Sequence, residues 1–367
     1  MCTGIRLIAQ DGTVVHARTM EFGIDLHSEI LVIPAGYDRV GTAPETATTT
    51  QPGARWKTKY ASVGANGFGM NIIADGLNSE GLAAGLFYFP TSAGYMPYSP
   101  EDVSKTIAPW ELASWILEQH KSVNEVKQNI GNIVVAEVYL KEMGFTPPVH
   151  CVVHDAAGNS IVIEYVGGKL NIHDNPLGVM SNSPTFDWHM TNLRNYVNFS
   201  LTNFPSLKLN VPQTNPNGIN ALIFKPLELH PFGQGTGMLG MPGDFTPPSR
   251  FVRAVAFTQS ILPTLLETGH DAVVQAFHIL NNFDIPKGVA REQELHDDKV
   301  AADYTLWTSA NDLKNKRFYF RTYNNSQIRV VDLMAMDLRA SQIARILMEQ
   351  PDEQEVFQTI TPLLTGV

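Results

Sequence analysis

Short runs of alternating or β-branched apolar residues open the chain and predict strands. Thr3 to Ala9, Thr13 to Met20 and Ile30 to Pro34 have this character, and the turn-forming pair Asp11-Gly12 separates the first two runs. Because strands joined by so short a turn pair antiparallel, the sequence predicts an N-terminal hairpin with Cys2 at its edge.

Runs of the same kind recur later in the chain. Glycine-punctuated apolar segments and a second hairpin around the turn Asp155 to Asn159 predict strands over Ala61 to Ile73, Gly81 to Phe89, His150 to His154, Ser160 to Val166, Thr305 to Ser309, Arg317 to Tyr323 and Ile328 to Leu333. Within one of them Cys151 alternates with Val153, which is typical of a buried small apolar residue.

Helical patterns lie between these strands, and two further segments have no sustained period. Helices are predicted over Pro109 to Leu117, Val123 to Ile130, Ser249 to Leu265, Asp271 to Asn281 and, as a final amphipathic helix, Leu338 to Glu349. Thr42 to Arg55 is rich in Thr and Pro and suits a surface loop, whereas Asn198 to His230 is a long excursion of the kind that often borders a site. Blocks of strands flanked by blocks of helices favour a layered α+β architecture over alternating βαβ units.

Composition narrows the possible functions. With 44% apolar and only 17% charged residues the chain is globular. Its net charge is -10 and it has no Lys/Arg run, so the sequence shows no cluster of positive charge that would bind nucleic acid or anionic lipid. No apolar stretch approaches the roughly 20 residues of a membrane span, and no signal peptide is visible. We expect a cytoplasmic protein if Met1 is the native start, and a periplasmic one if a signal peptide was trimmed from this sequence.

Metal and dinucleotide sites find little support. The two cysteines, Cys2 and Cys151, form no CxxC pair, and four residues along a strand would hold His150 and His154 about 13 Å apart, too far to share one ion. Gly235 to Gly240 satisfies GxGxxG but follows a Pro-rich loop instead of a strand, so we predict no cofactor. Neither GxSxG nor HExxH occurs.

The second residue carries the strongest chemical signal. Removal of Met1 would leave Cys2 with a free α-amine, so that thiol and base share one residue. An α-amine with its usual pKa of about 8 can accept a thiol proton near neutrality and return it to a leaving amine. Arg18, on the paired strand of the predicted hairpin, would favour the thiolate.

Further motifs are spread over most of the chain: Met1-Cys2-Thr3-Gly4-Ile5-Arg6, Ala17-Arg18-Thr19-Met20-Glu21, Ala74-Asp75-Gly76-Leu77-Asn78, Gly178-Val179-Met180-Ser181-Asn182-Ser183-Pro184, Pro231-Phe232-Gly233-Gln234-Gly235 and Pro242-Gly243-Asp244-Phe245-Thr246-Pro247-Pro248-Ser249-Arg250-Phe251. In combination these motifs resemble the choloylglycine hydrolase family, which includes penicillin V acylases and bile salt hydrolases. The resemblance implies the αββα sandwich of the N-terminal-nucleophile hydrolases, one domain over residues 1–367, and a homotetramer.

The resemblance also implies roles for single residues. Cys2 would be the nucleophile, Arg18 its electrostatic partner, Asn182 a side-chain donor to the oxyanion and Arg250 a support for the transition state. Glu21 stands where the family usually has the Asp that holds the α-amine, so one extra methylene shifts that carboxylate.

The substrate pocket is interpreted from neighbouring residues. Tyr88, in the segment Gly85 to Pro90 that resembles the family's oxyanion loop, falls where its penicillin acylases have Tyr and its bile salt hydrolases usually have Asn. We expect an apolar acyl pocket near Cys2 from Met20, Phe22, Phe68 and Phe87, although such residues in strands are usually core.

The sequence therefore predicts a cysteine amidohydrolase that cleaves a linear amide through a thioester. Penicillin V and related acyl amides are the first expectation, with acyl homoserine lactones beside them and conjugated bile salts as the alternative. A noncatalytic binding protein on the same fold, with Cys2 blocked behind Met1, and a nucleotide-dependent oxidoreductase using the glycine-rich run remain as hypotheses of other classes.

Overall fold

Two antiparallel sheets, packed face to face, form the centre of the computed structural model, which describes residues 1–213, 223–291 and 302–349. In chain order its strands are β1 (Cys2–Ile8), β2 (Val14–Phe22), β3 (Glu29–Ile33), β4 (Asp38–Pro44), β5 (Thr50–Lys57), β6 (Ser62–Ala65), β7 (Asp75–Asn78), β8 (Leu82–Tyr88), β9 (Thr106–Ile107), β10 (Val134–Val135), β11 (Val149–Asp155), β12 (Ser160–Val166), β13 (Lys169–Asp174), β14 (Leu207–Gln213), β15 (Ile223–Leu229), β16 (Ala290–Arg291), β17 (Ala302–Asp312), β18 (Arg317–Thr322), β19 (Arg329–Asp332) and β20 (Ala344–Leu347). The α-helices are α1 (Leu112–Gln119), α2 (Val123–Asn129), α3 (Phe186–Asn192), α4 (Pro247–Gln259) and α5 (Gly269–Leu280).

The first sheet has the strand order β1-β2-β17-β18-β19, with β16 paired to β17, and the second has the order β13-β12-β11-β8-β7-β6-β3-β20. Buried side chains of both sheets, such as Val15 and Val152, pack together in the layer between them. Helices α4 and α5 cover the outer face of the first sheet, while α1 and α2 cover the second. The result is four layers in the order αββα, which confirms the predicted α+β sandwich.

The N-terminal hairpin forms as predicted. Gly12 takes up the left-handed φ of 80° that the turn requires, and the Thr13 N–H donates to Asp11 Oδ1 at 2.9 Å. The resulting register pairs Cys2 with Met20 and Gly4 with Arg18. The hairpin thus places the first residues of the chain against β2 in the middle of the molecule.

Two predictions of irregular structure were wrong. Thr42 to Arg55 forms most of the β4–β5 hairpin, whose register shifts between Val40 and Thr42. A long-range contact holds this hairpin: the buried Glu111 carboxylate accepts hydrogen bonds from the Thr42 N–H and hydroxyl at 2.9 and 2.7 Å. Asn198 to His230 likewise contains the paired strands β14 and β15, while residues 214–222 lie outside the described residues.

Two further predictions differ from the structure. Leu338 to Glu349 contains no helix, because Ala344–Leu347 instead pairs antiparallel with the edge strand β3. Backbone pairing at an open sheet edge overrides the local helical pattern. Ala61 to Ile73 contains only the short strand β6, because the chain turns at Gly67 to Met70.

The described part of the chain also bears on membranes, metals and dinucleotides. None of its helices combines the length and apolar character needed to cross a bilayer. No group of three or more His, Cys, Asp or Glu side chains within it is arranged to hold a metal ion. In the glycine-rich run, Thr236–Met238 is a single 3-10 turn rather than a helix that follows a strand.

Candidate active site

Cys2 lies at the start of β1, where the hairpin register brings its sulfur beside Arg18. The distance from Arg18 Nη2 to Cys2 Sγ is 2.6 Å, and Met20 Sδ lies 3.9 Å from the same sulfur. Cys2 is only 2% exposed, yet its side chain lines a cavity. A cation in contact with sulfur stabilises a thiolate, so this cysteine has the surroundings of a nucleophile.

Arg18 is fully buried and is held in place by contacts with both sheets. Its Nη1 donates to the Leu86 carbonyl and its Nε donates to the Thr19 carbonyl at 3.1 Å. The guanidinium lies 4.2 Å from the centre of the Phe87 ring. Phe87 therefore supports Arg18 and does not line the cavity, contrary to its predicted place in the acyl pocket.

Asn182 reaches Cys2 through a short backbone pairing. An isolated antiparallel bridge joins Gly4 to Met180, so Asn182, two residues after Met180, stands opposite Cys2, two residues before Gly4. Its Oδ1 accepts the Cys2 N–H at 2.8 Å, and its Nδ2 donates to the Tyr88 carbonyl at 2.6 Å. A side-chain amide carries two N–H groups, so Nδ2 can donate a second hydrogen bond.

Arg250 approaches the same residues from helix α4 and is fully buried. Its Nη1 donates to the Cys2 carbonyl and, at 2.8 Å, to the Thr3 hydroxyl, while Nη2 donates to Asn182 Oδ1 at 2.6 Å. Burial lowers the pKa of Arg250, although the neighbouring Glu21 opposes this. The guanidinium fixes the backbone of Cys2 and the amide of Asn182 together.

Glu21 lies at the end of β2, next to the first residue of the chain. The Met1 ammonium is 2.6 Å from the Glu21 carbonyl and 3.3 Å from Asp303 Oδ2. The Glu21 carboxylate is fully buried: Oε1 accepts from the Thr305 hydroxyl at 3.2 Å, and Oε2 has no hydrogen-bond partner. Burial raises the pKa of Glu21, while the ammonium and then Arg250 oppose that change.

The cavity beside Cys2 has a volume of about 100 Å³ and an almost entirely apolar lining. Of the residues predicted from the sequence, Cys2, Met20, Phe22, Phe68 and Tyr88 contribute to it. The sequence analysis missed the other side chains of the lining, which come from separate loops and strands: Leu26, Met70, Ile72, Ala74, Leu86, Trp110, Leu140, Met143, Pro147 and Val149. No local pattern distinguishes these from ordinary core residues.

The rim of the cavity is aromatic. The Phe22 and Tyr88 rings meet edge to face with their centres 5.5 Å apart. Phe68 adopts a left-handed φ of 56°, unusual for a bulky residue, and its N–H donates to the Leu26 carbonyl at 2.6 Å. The strained turn points to a wall whose shape is under functional constraint.

Asp75, quoted only as part of a motif, is a buried anion near Arg18. Its carboxylate contacts His16 Nε2 at 3.0 Å and accepts from the Ser309 hydroxyl at 2.7 Å. Ser309 is the cross-strand partner of Arg18 on β17. Burial would raise the pKa of Asp75, but the His16 contact and the Arg18 charge lower it overall.

The sequence and structure were compared with known proteins. Residues 2–355 match the model of linear amide C-N hydrolases, choloylglycine hydrolase family. A bile salt hydrolase/transferase of Clostridium perfringens is 34% identical over 94% of this chain and 95% of that protein. A penicillin V acylase of Pectobacterium atrosepticum is 25% identical over 87% of this chain and 77% of that protein.

The fold has a close counterpart among solved structures. The crystal structure of the C2A mutant of conjugated bile acid hydrolase from Clostridium perfringens superposes with a TM-score of 0.79 at 29% identity. The similarity covers 98% of this chain and 100% of that one. The two proteins therefore share the same overall fold.

Proposed function

The chain belongs to the choloylglycine hydrolase family of linear amide C-N hydrolases, and from this premise we propose that Cys2 is the nucleophile that opens the amide of a conjugated bile salt. The observation that carries the proposal is the contact of the Cys2 sulfur with Arg18 at the wall of an apolar cavity. A thiolate held by a cation beside a pocket for an acyl chain is the arrangement that thiol acyl transfer needs.

In the proposed reaction the Cys2 sulfur attacks the amide carbonyl carbon, and the negative charge moves to the carbonyl oxygen. Asn182 Nδ2 donates to that oxygen, while Arg250 holds the Asn182 amide through Oδ1. The C–N bond then breaks, the amine leaves with a proton, and a thioester to Cys2 remains. Water cleaves the thioester and restores the thiol.

The proton carrier is the α-amine that Cys2 gains when Met1 is removed. In the structure the Cys2 nitrogen is an amide that donates to Asn182 Oδ1 and stands in for that amine. The buried Glu21 Oε2, which lacks a partner, and Asp303, which faces the Met1 ammonium, are the proposed acceptors around the new terminus. Glu21 would then hold the α-amine as the family's Asp does, although its side chain is one methylene longer.

The relatives support the choice of substrate. The bile salt hydrolase of Clostridium perfringens shares 34% identity with this chain, compared with 25% for the penicillin V acylase. This favours the alternative of the sequence analysis, conjugated bile salts, over its first expectation. The lining of the cavity is apolar like the acyl part of either substrate, whereas its volume of about 100 Å³ is smaller than the roughly 300–1,000 Å³ of typical ligand pockets.

Penicillin V is the second candidate because of Tyr88. Its ring packs edge-on against Phe22 at the rim of the cavity, where the family's bile salt hydrolases usually have a smaller amide. An aromatic wall at that place favours a flat phenoxyacetyl group. Acyl homoserine lactones remain a further proposal of the same chemistry.

A side-by-side assay tests the proposal. Enzyme shown by intact mass to have lost Met1 is incubated with a glycine-conjugated bile salt, penicillin V and a long-chain acyl homoserine lactone. We expect release of free glycine to be the fastest reaction, and one thiol-reagent adduct at Cys2 to abolish it. Faster cleavage of penicillin V would transfer the assignment to the second candidate, and cleavage that survives the adduct would exclude Cys2.

We also propose the homotetramer that the family resemblance implies. Apolar side chains on the β14–β15 hairpin are exposed, including Leu207, Phe224 and Leu229. Apolar side chains clustered on a projecting hairpin are typical of a subunit interface. Light scattering should give four times the chain mass of 40.5 kDa, and a monomer would contradict this proposal.

A further inference from the structure

Two buried histidines hold the backbone on either side of the Asn182 side chain. His150 Nε2 lies 3.1 Å from the Ser181 carbonyl oxygen, and His189 Nε2 lies 2.8 Å from the Asn182 carbonyl oxygen. The two rings come from different layers, since His150 belongs to β11 of the second sheet and His189 to helix α3. Each histidine is at most 2% exposed.

We propose that His150 and His189 are positioning residues that hold the Ser181–Asn182 backbone so that the Asn182 amide meets the oxyanion. The inference rests on the role proposed above for Asn182 as an oxyanion donor. No other assignment made for the site involves either histidine, because neither contacts Cys2 or lines the cavity.

The neighbours of His150 determine which of its ring nitrogens donates a hydrogen bond to Ser181. Nδ1 lies 3.1 Å from Glu164 Oε1, an oxygen that also accepts the Phe186 N–H at 3.0 Å. A carbonyl oxygen cannot donate, so Nε2 must carry the proton that Ser181 accepts, and the contact between Nδ1 and Glu164 holds a second proton, on Nδ1 or on the carboxyl group. The ring also stacks on Phe89 with the centres 4.1 Å apart, which fixes its plane.

His189 carries its proton on the corresponding nitrogen. Nδ1 is buried without a hydrogen-bond partner, so a proton there would be an unpaired donor, whereas an Nε2 proton reaches the Asn182 carbonyl. The ring stacks on Phe251 of helix α4 with the centres 4.7 Å apart. Both imidazoles are therefore oriented donors whose planes are held by an aromatic neighbour.

The backbone needs this support because the β-bridge to β1 ends before Asn182. The paired hydrogen bonds of that bridge involve Gly4 and Met180, and the next two carbonyls are held by the histidines instead. The Asn182 side chain meanwhile has contacts at both ends, to Cys2 and Arg250 through Oδ1 and to Tyr88 through Nδ2. A displacement of about 1 Å at such a donor can cost up to ~100-fold in rate.

The experiment compares two thiol reactions that differ in their need for an oxyanion donor. Acylation of Cys2 by p-nitrophenyl acetate passes through a tetrahedral intermediate, whereas alkylation by iodoacetamide does not. In Met1-free enzyme, H189F removes the N–H but keeps a ring against Phe251, and H189Q keeps an N–H near the same place. H150F and H150Q form the matched pair at the other carbonyl.

We expect H189F and H150F each to slow acylation about 10-fold while alkylation stays within about twofold. The Gln variants should recover at least about a third of the wild-type acylation rate. In an N182A background, already slowed about 100-fold, adding H189F should cost less than about twofold, because the histidine acts through the missing amide.

Each other outcome overturns a defined claim. If H189F still slows acylation 10-fold in the N182A background, or slows alkylation equally, His189 does not act through Asn182 and the inference is wrong. If N182A itself acylates at the wild-type rate, the proposed oxyanion role of Asn182 fails first and the inference falls with it. Should H189F not fold, H189N replaces it, because its shorter amide does not reach the Asn182 carbonyl.

Discussion

The two cysteines are buried to almost the same extent but have very different surroundings. Cys2 is 2% and Cys151 0% exposed, so their accessibility is nearly equal. Cys2, however, has the Arg18 guanidinium at 2.6 Å and an apolar cavity on one side. Cys151 packs among Leu and Val side chains of the second sheet, where burial strongly raises the pKa of its thiol.

The difference originates in what each strand faces. Cys2 stands at the start of β1, where Arg18 of the hairpin partner, Arg250 of helix α4 and the Asn182 amide all contact it. Cys151 stands in the middle of a sheet, between β8 and β12, with apolar layers around it. A reactive cysteine thus needs a cation and an open volume in addition to its sulfur.

The largest expected effect comes from removing the sulfur of Cys2. Cys2→Ser should lower kcat/KM at least ~1,000-fold, because an alcohol is a far weaker nucleophile than a thiolate at neutral pH. Amide cleavage followed by chromatography measures this. Turnover within tenfold of the wild type would show that the two cysteines had been assigned the wrong way round or that neither is the nucleophile.

Removing the cation should make Cys2 resemble Cys151. Arg18→Gln is expected to slow both iodoacetamide alkylation and amide cleavage at pH 7 by ~10- to 100-fold, because the thiolate loses its partner. Arg6→Gln is the matched control, since Arg6 lies on the same hairpin but donates to Gly158 and Pro176 instead. Equal losses in both variants would indicate general damage to the hairpin.

A larger side chain in the cavity tests whether the open volume beside Cys2 receives the acyl group. Ala74 lines the cavity, and Ala74→Leu should reduce kcat/KM for bulky acyl amides by ~10-fold while iodoacetamide alkylation changes less than about twofold. The small reagent needs no acyl pocket, so it serves as the internal control. A parallel fall in both rates would mean that the leucine disturbs Cys2 itself.

The buried His189, next to Asn182, should make the stability of the folded protein depend on pH. Burial, the largest influence, lowers the pKa of His189 from 6.5 to about 4, although the hydrogen bond to the Asn182 carbonyl opposes this change. Between these two pKa values, His189 therefore binds a proton in the unfolded chain but not in the folded one.

The contribution of neutral His189 to the free energy of unfolding is complete above pH 6.5 and is lost as the pH falls towards about 4. The loss is roughly 3 kcal/mol, because each unit between the two pKa values corresponds to about 1.4 kcal/mol. His189→Gln cannot gain the proton, so its free energy of unfolding should rise relative to that of the wild type over this interval. Urea titrations at several pH values measure the difference. Parallel curves for both proteins would contradict the assignment.

The smallest effect is expected at the other cysteine. Cys151→Ala should leave kcat/KM within about twofold and lower the free energy of unfolding by about 1 kcal/mol, because it removes one buried atom from a packed layer. Steady-state kinetics and urea unfolding test this. Loss of activity without loss of stability would give Cys151 a chemical part that its surroundings do not indicate.

Local patterns predicted much of the secondary structure and part of the site. The β1–β2 hairpin follows from β-branched runs and the Asp11-Gly12 turn, and the helix at Asp271 carries its own capping box with Thr268. The β4–β5 hairpin escaped prediction because its anchor, Glu111, lies far away in the chain. The C-terminal strand escaped because its partner is an edge strand near the other end of the chain.

From the sequence alone came the prediction of Cys2 as nucleophile, the place of Arg18 on the paired strand and the motifs that resemble the family, because these depend on residue types and on short-range pairing. Only the tertiary structure decided that Phe87 lies beneath Arg18, which side chains enclose the cavity, and that two histidines hold the Asn182 backbone. Such contacts join residues far apart in the chain, and no local pattern encodes the distance between them once two sheets and a helix have packed together.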